Sequence, residues 1–445
     1  MQQRKKLPIL IKKDGTPFSS VEIRDATREL DALTVEQRMA FRNSNAKAIA
    51  EHPATKMLIV SGPGTGKSYL FLDRIRSWLG AQPDQTILVT SFVRKLVADL
   101  QSDVVNKLTT EQASQVTVWT LHKLARSIVE RNHGHLHRQF LPHLKIIIGF
   151  WQGVVWEDVL LFHPKINGST YKWREFEKQF HDDSYSNEEE WSALRDTYLD
   201  LTHFYNAVSF ADLIVLAREA LEEDETLDRN GLFIVDEYQD FNQAEERLLM
   251  QLTKVASRIL LVGDDDQVLY EKLKSGKAAL IRKLYTDSAI VNALLPFCGR
   301  SSFHIVKTAQ AFISQNRDAN SIEKIYLPLG GAADAARVEV IGCATPATAV
   351  DYIQKFLEEH KSEVEQRKAA LEAGTEKDAF VLILTPAREM KFMKPHDQSL
   401  RQLAEQYKRP TGALSEDYYR VLTYYSLARY PEGYSLYERS SSTKV

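Results

Sequence analysis

The chain has 445 residues, is 44% hydrophobic and 26% charged, and carries a formal net charge of −3. This is an ordinary globular composition, with length for several domains at roughly 100–200 residues each and for a sizeable core. The near-neutral balance neither argues for a nucleic-acid partner nor excludes one, because a local basic track fits inside a neutral total.

The N-terminal stretch Arg4–Lys13 is basic, and the apolar run Leu7–Ile11 within it is too short for a signal-peptide core. It reads as a solvated tail or as a contact to a phosphate backbone. Short apolar runs at Met57–Ser61, Ile87–Ser91, Val116–Thr120, Leu232–Glu237 and Ile259–Gly263 show little alternation, as strands covered on both faces do. Helical patterns separate most of them, which predicts an α/β domain with a parallel sheet.

Residues 123–228 break that rhythm. They are helical in texture, rich in Trp and His, and contain no convincing strand pair. The most apolar segment, Ile146–Phe162, includes Gln152, Glu157 and Asp158 and is shorter than a membrane span, so it predicts a buried helix. His133, His135, His137 and His143 allow a metal site but have no local acidic or cysteine co-ligands, and a polar loop is the plainer reading. A new strand begins near 290, and others are expected at Val338–Gly342 and Phe380–Thr385, with an exposed charged helix and loop over Ser362–Lys377. The two cysteines, Cys298 and Cys343, sit in no metal or redox spacing, which fits a reducing, cytoplasmic location.

Between the first strand and the helical run YLFLDRIRSWL lies Ser61-Gly62-Pro63-Gly64-Thr65-Gly66-Lys67-Ser68. A glycine-rich turn at this junction lets backbone N–H groups wrap a phosphate chain, and the helix N-terminus adds partial positive charge. Lys67 would reach the β- and γ-phosphates of ATP and Ser68 would ligate Mg²⁺; Ser61 replaces the usual first glycine. The strand Leu232–Val235 ends in Asp236 and Glu237. Asp236 would hold the metal, and Glu237 would orient and deprotonate the attacking water.

Asp236–Asp240 (DEYQD) and Gly263–Gln267 (GDDDQ), followed by Tyr270, resemble motifs II and III of the UvrD/Rep-type superfamily 1 DNA helicases. Leu33–Gln37 resembles the Q motif, which makes Gln37 an adenine contact, although Thr34 and Gln37 equally spell a helix capping box. Thr90–Lys95 resembles motif Ia, with Phe92 stacking on single-stranded DNA and Lys95 beside it; a core Phe is the alternative. Thr120-Leu121-His122 resembles the DNA-facing TxH of motif Ib, and a buried histidine explains it nearly as well. Phe210–Leu213 resembles a structural FxDL. By the same resemblance Gln267 senses the γ-phosphate, and Leu295–Ser301 is motif IV with Arg300 facing transition-state charge.

The resemblance implies a RecA-like P-loop NTPase domain over 31–122 and 229–289, preceded by an N-terminal extension over 1–30. A helical insertion occupies 123–228, and a partial second RecA-like domain occupies 290–445. It implies an ATP- and Mg²⁺-dependent motor on single-stranded or partially duplex DNA, with no membrane contact. Four departures qualify it. Gly299 stands where the family has an adenine-stacking aromatic, Glu271–Lys274 replaces an aromatic-Arg-Gly segment, and motifs V and VI are not recognisable. Either the chain ends before a second motor domain is complete or the sequence is a truncated form. The alternative is therefore a non-unwinding, ATP-binding and DNA-sensing subunit of a larger complex, with a nuclease or motor-completing protein as partner.

Overall fold

The computed structural model describes residues 9–12, 14–91, 94–132, 140, 143–223, 231–268, 275–332, 338–342, 346–372, 381–385 and 419–423. The chain divides into two units, Met1–Val338 and Glu339–Val445. The strands of the first are β1 (Ile11–Lys12), β2 (Lys56–Val60), β3 (Ile87–Ser91), β4 (Val116–Thr120), β5 (Lys145–Ile146), β6 (Ala207–Val208), β7 (Leu232–Val235), β8 (Arg258–Gly263), β9 (Val291–Leu294), β10 (Phe297–Cys298) and β11 (Leu327–Pro328). Its helices include α1 (Ser20–Asp31), α2 (Val35–Ala50), α3 (Lys67–Ala81), α4 (Arg94–Lys107), α5 (Thr110–Ser114), α6 (Leu121–Arg131), α7 (Phe150–Leu161), α8 (Trp173–Asp182), α9 (Glu189–Phe204), α10 (Phe210–Glu223) and α11 (Gln243–Val255).

Seven strands form one sheet in the order β1-β9-β2-β8-β7-β3-β4, with only the edge pair β1–β9 antiparallel. Consecutive residues of a strand point to opposite faces. In β2, Met57 and Ile59 pack with α3 and α4, while Leu58 and Val60 pack with α6, α10 and α11. Ile234 and Phe233 of β7 divide in the same way. Each face has its own apolar layer, which is why these strands read as unbroken apolar runs.

The expected boundary at 290 falls inside this sheet. β9 lies beside β2, with Val291 opposite Met57 and Leu294 opposite Val60. β10 and β11 then pair in parallel within the same unit. The expected extension over 1–30 is likewise part of the first unit: Leu10, Ile23 and Leu30 are buried in its core. Asn45, fully buried, accepts from Leu10 N and donates to Leu294 O, each at 2.9 Å, which joins the N-terminal segment to β9.

The insertion has its own aromatic core, including Trp156, Phe176, Phe180 and Tyr198, and α10 packs on both this cluster and the sheet layer. A two-residue parallel pair, β5 with β6, is present where no strand pair was expected. α7 is only half covered: Val155, Trp156 and Val159 are buried, while Phe150 and Trp151 at its start are exposed. The buried helix expected here is therefore corrected to one that buries a single face and exposes the rest. No helix among the described residues is long and apolar enough to cross a membrane.

Asp183 joins the insertion to the sheet layer. It ends α8 in a left-handed conformation (φ 47°), and its buried carboxylate pairs with Arg218 of α10 and Arg247 of α11. Removing a shared buried partner leaves two guanidinium groups uncompensated. We expect Asp183→Ala to cost about 3 kcal/mol, at the low end for a broken buried pair because Arg247 is half exposed. Denaturant unfolding measures this, and a loss below about 1 kcal/mol would refute the bracing role.

In the second unit, strand β12 (Val381–Thr385) pairs in parallel with β13 (Tyr419–Thr423), and helices span Pro346–Glu359 and Lys361–Glu372. The strand expected at Val338–Gly342 does not form there, and Val340 is 91% exposed.

Candidate nucleotide site

Parallel strands bring their carboxyl ends to one edge of a sheet, where open α/β folds bind ligands. The segments after β2, β3, β4, β7, β8 and β9 therefore all begin on the same edge. These are the segments that contain Lys67, His122, Glu237, Gln267 and Arg300.

Ser61 continues from β2 and donates its N–H to Gly263 O at 3.1 Å, so the glycine loop starts hydrogen-bonded to the end of β8. Ser61 is buried and fits where glycine is usual. Gly64 and Gly66 have φ of 71° and 103°, values that side-chain-bearing residues rarely adopt. Gly66 is the N-cap of α3 and contributes no side-chain cap, so first-turn N–H groups are available to an anion. Thr65 Oγ1 closes the loop on Gly62 O at 3.0 Å, and Ser68 lies exposed in the first helical turn.

Lys67 Nζ meets both Glu237 carboxylate oxygens at 3.0 Å. Burial pulls its pKa down, but the charges of Glu237, Asp236 and Asp264 outweigh this and hold it above the usual lysine value. Asp236 is buried at the end of β7, and its Oδ1 accepts from Glu237 N at 2.9 Å. Burial, reinforced by the Glu237 charge, pushes its carboxyl group up, while Lys67 pulls it down. Glu237 sits at φ 51°, a strained conformation for a side-chain-bearing residue and a frequent mark of functional positions. The oxygen donors of Ser68 and Asp236 suit a hard divalent cation, and positive charge would relieve the crowded carboxylates.

Gln239, quoted in DEYQD without a role, links the two acidic motifs. Its Nε2 donates to Glu237 Oε2 at 2.9 Å, and its Oε1 accepts from Asp264 N at 3.0 Å. Gln267 Nε2 in turn donates to Asp264 Oδ2 at 2.6 Å. Asp264, Asp265 and Asp266 are the only carboxylate, His or Cys group close enough to hold a metal among the described residues, but the Lys324 ammonium contacts all three.

Arg300 begins against the glycine loop. Gly299 N donates to Gly64 O at 2.9 Å, and a Cβ placed on Gly64 would lie 2.6 Å from Arg300 Cβ. Pro63 O accepts from Tyr326 OH at 3.1 Å, and the Tyr326 ring covers Gly62. Arg42 approaches Gly299, and its Nη2 donates to Thr65 O at 3.4 Å. Sequence reasoning missed Gln239, Lys324, Tyr326 and Arg42; only Gln239 lay inside a quoted motif.

The remaining candidates fall in different places. Gln37 Oε1 accepts from Thr34 N at 3.0 Å, so the capping box is formed. Thr120 caps α6 through Lys123 N. His122 lies 3.7 Å from Glu245 and meets the Phe210 ring edge-on at 4.8 Å, a packed setting for the imidazole. Lys95 is in α4, its side chain outside the described residues, as are Phe92, Tyr270, His133, His135 and His137.

A glycine loop at a helix N-terminus, facing paired acids on the second strand away in a parallel sheet, defines a P-loop nucleotide-binding domain. The UvrD/REP helicase N-terminal domain model matches residues 42–288, more than half of the chain, and the chain belongs to that family. It is 25% identical over 298 residues to ATP-dependent DNA helicase Rep of Buchnera aphidicola subsp. Schizaphis graminum, covering 62% of this chain and 44% of that protein. Against Rep of Escherichia coli the values are 23% over 299 residues, 62% and 43%. Against DNA helicase II of Escherichia coli they are 26% over 318 residues, 66% and 42%. The chain thus spans less than half the length of these relatives.

Proposed function

We propose that this chain is the ATP-binding and ATP-hydrolysing part of a DNA helicase or translocase that moves on single-stranded DNA. The observation that carries it is the contact of Lys67 with Glu237 beside buried Asp236, with Gln239 and Gln267 continuing the polar chain. In this reading the β- and γ-phosphates of ATP take Lys67 from Glu237. The freed carboxylate accepts a hydrogen bond from the attacking water and removes its proton. Ser68 and Asp236 would hold Mg²⁺, which supplies charge neutralisation on the transferred phosphoryl group. Gln267 reports on the γ-phosphate, Arg300 meets developing charge, and Gln37 contacts the base. The DNA track runs over the segments of Phe92, Lys95, Thr120, His122 and Tyr270; family membership supports it, and the packed setting of His122 favours backbone contacts there.

The test is ATP hydrolysis by the whole chain with and without single-stranded DNA. Mg²⁺-dependent hydrolysis that rises with DNA is expected. Hydrolysis indifferent to DNA removes the motor reading. ATP binding with no turnover, restored by a second protein, would favour the partner-dependent alternative.

A further inference from the structure

We infer that Lys324 is a positioning residue for ATP turnover, acting through Asp264 on Gln267 and, by way of Gln239, on Glu237. This rests on the reading of the site as an ATPase centre.

The ammonium group of Lys324 is buried, its side chain only 3% exposed, among three consecutive carboxylates. It contacts Asp264 most closely, then Asp265 Oδ1 at 2.8 Å and Asp266 Oδ2 at 2.9 Å. Arg282 Nε reaches Asp265 Oδ2 at 2.9 Å, and Arg317 lies 3.6 Å from Asp266. Arg282 also reaches Asp318 at 3.0 Å, so three cations meet four carboxylates and the cluster carries one net negative charge. Burial pulls the lysine toward its neutral form, but the three carboxylates outweigh it and keep the ammonium charged.

Asp264 is the pivot. Its Oδ1 takes the ammonium and also accepts from Asp266 N at 3.1 Å, while its Oδ2 takes Gln267 Nε2 at 2.6 Å. Its own N–H donates to Gln239 Oε1 at 3.0 Å. An amide has one accepting and one donating end. With Oε1 engaged by Asp264, Nε2 is directed to Glu237 Oε2 at 2.9 Å. A continuous polar path therefore runs from Lys324 to the carboxylate that contacts Lys67.

Without the ammonium, three adjacent carboxylates, two of them buried, repel one another and turn toward water or protons. Asp264 then presents a different oxygen or none to Gln267, and the turn that carries the Asp264 N–H, to which Gln239 Oε1 is bound, loses its anchor. The glycine loop itself keeps its own bonds, so binding of the α- and β-phosphates persists. Lys324 is also placed by a segment that touches that loop, since Tyr326, two residues on, donates to Pro63 O at 3.1 Å.

The experiment compares wild type, Lys324→Met, Lys324→Arg and the charge-balanced double variant Lys324→Met/Asp266→Asn, using the whole chain. ATP and ADP affinities, kcat, KM and thermal midpoint are measured. Lys324→Met is expected to lower kcat on the order of 10²-fold, the scale of a misplaced general base. ADP affinity should stay within about threefold, and the preference for ATP over ADP should fall, because only the γ-phosphate side is disturbed. Lys324→Arg should recover most of kcat. If the single variant does not fold, the double variant carries the test, with the same loss of kcat expected.

Normal kcat in a folded Lys324→Met or double variant overturns the inference. So does an equal loss of ATP and ADP binding that follows the thermal midpoint, which marks a purely structural brace. Wild-type chain that hydrolyses no ATP, alone or with a second protein that restores turnover, overturns the ATPase reading and this inference together; active wild type with unchanged variants overturns this inference alone.

Discussion

Lys67→Ala is expected to weaken ATP binding by about 10- to 150-fold and to bring hydrolysis below detection. A hydrogen bond to a charged partner contributes about 1.5–3 kcal/mol, and a phosphate would replace Glu237 as that partner. The two 3.0 Å contacts to Glu237 show that the ammonium already points to a carboxylate-sized anion at this place. The variant also leaves Asp236 and Glu237 without their cation. Since the Lys67 and Glu237 side chains are 12% and 17% exposed, the loss of stability should be about 3 kcal/mol, the low end for a buried pair. Nucleotide titration and thermal unfolding measure the two effects separately. Unchanged ATP affinity in a folded variant would remove Lys67 from the site.

Glu237→Gln is expected to separate binding from chemistry. The substitution keeps shape and an oxygen that can accept from Gln239, but it removes the charge that holds Lys67. ATP then meets a lysine with one competitor fewer, and its affinity should hold or rise. Hydrolysis should fall by about 10²- to 10⁴-fold, the range a positioned general base supplies. Asp236 should also ionise more readily, because one of the influences pushing its carboxyl group up is the Glu237 charge. Single-turnover hydrolysis with retention of bound ATP measures this. A rate within about tenfold of wild type would move the base to another residue.

The parts of the site that were legible in the sequence are those written within a few consecutive residues. Ser61–Ser68 carries its own turn glycines and helix start, and Leu232–Glu237 carries its own strand and acids. Thr34–Gln37 read equally as a base contact and as a capping box, and the box is the part that the structure forms. Gln239 was visible but without a role, because its amide is oriented by Asp264, 25 positions on. Lys324 gave no signal, since what distinguishes it from a surface lysine is a cage of acids some 60 positions earlier.

The same limit explains the misplaced boundary at 290. Val291–Leu294 is recognisable as a strand from its residues, but a strand does not state which edge it will join. Its place between β1 and β2 follows from pairing with Met57–Val60, more than two hundred residues earlier. Val338–Gly342 has the composition of a strand yet forms none there, because β structure requires a partner as well as propensity.

The sequence alone determined the strand–loop–helix that can cradle phosphate, the acids that face it and the parallel character of the sheet. Each rests on short-range periodicity or on φ/ψ preferences carried by the residues themselves. The tertiary structure decided which distant groups those residues meet: Lys67 with Glu237, Arg300 with the glycine loop, and Lys324 with the three aspartates. The physical reason is that electrostatic and hydrogen-bonding partners are chosen by distance in space, which strand order establishes and local sequence does not encode.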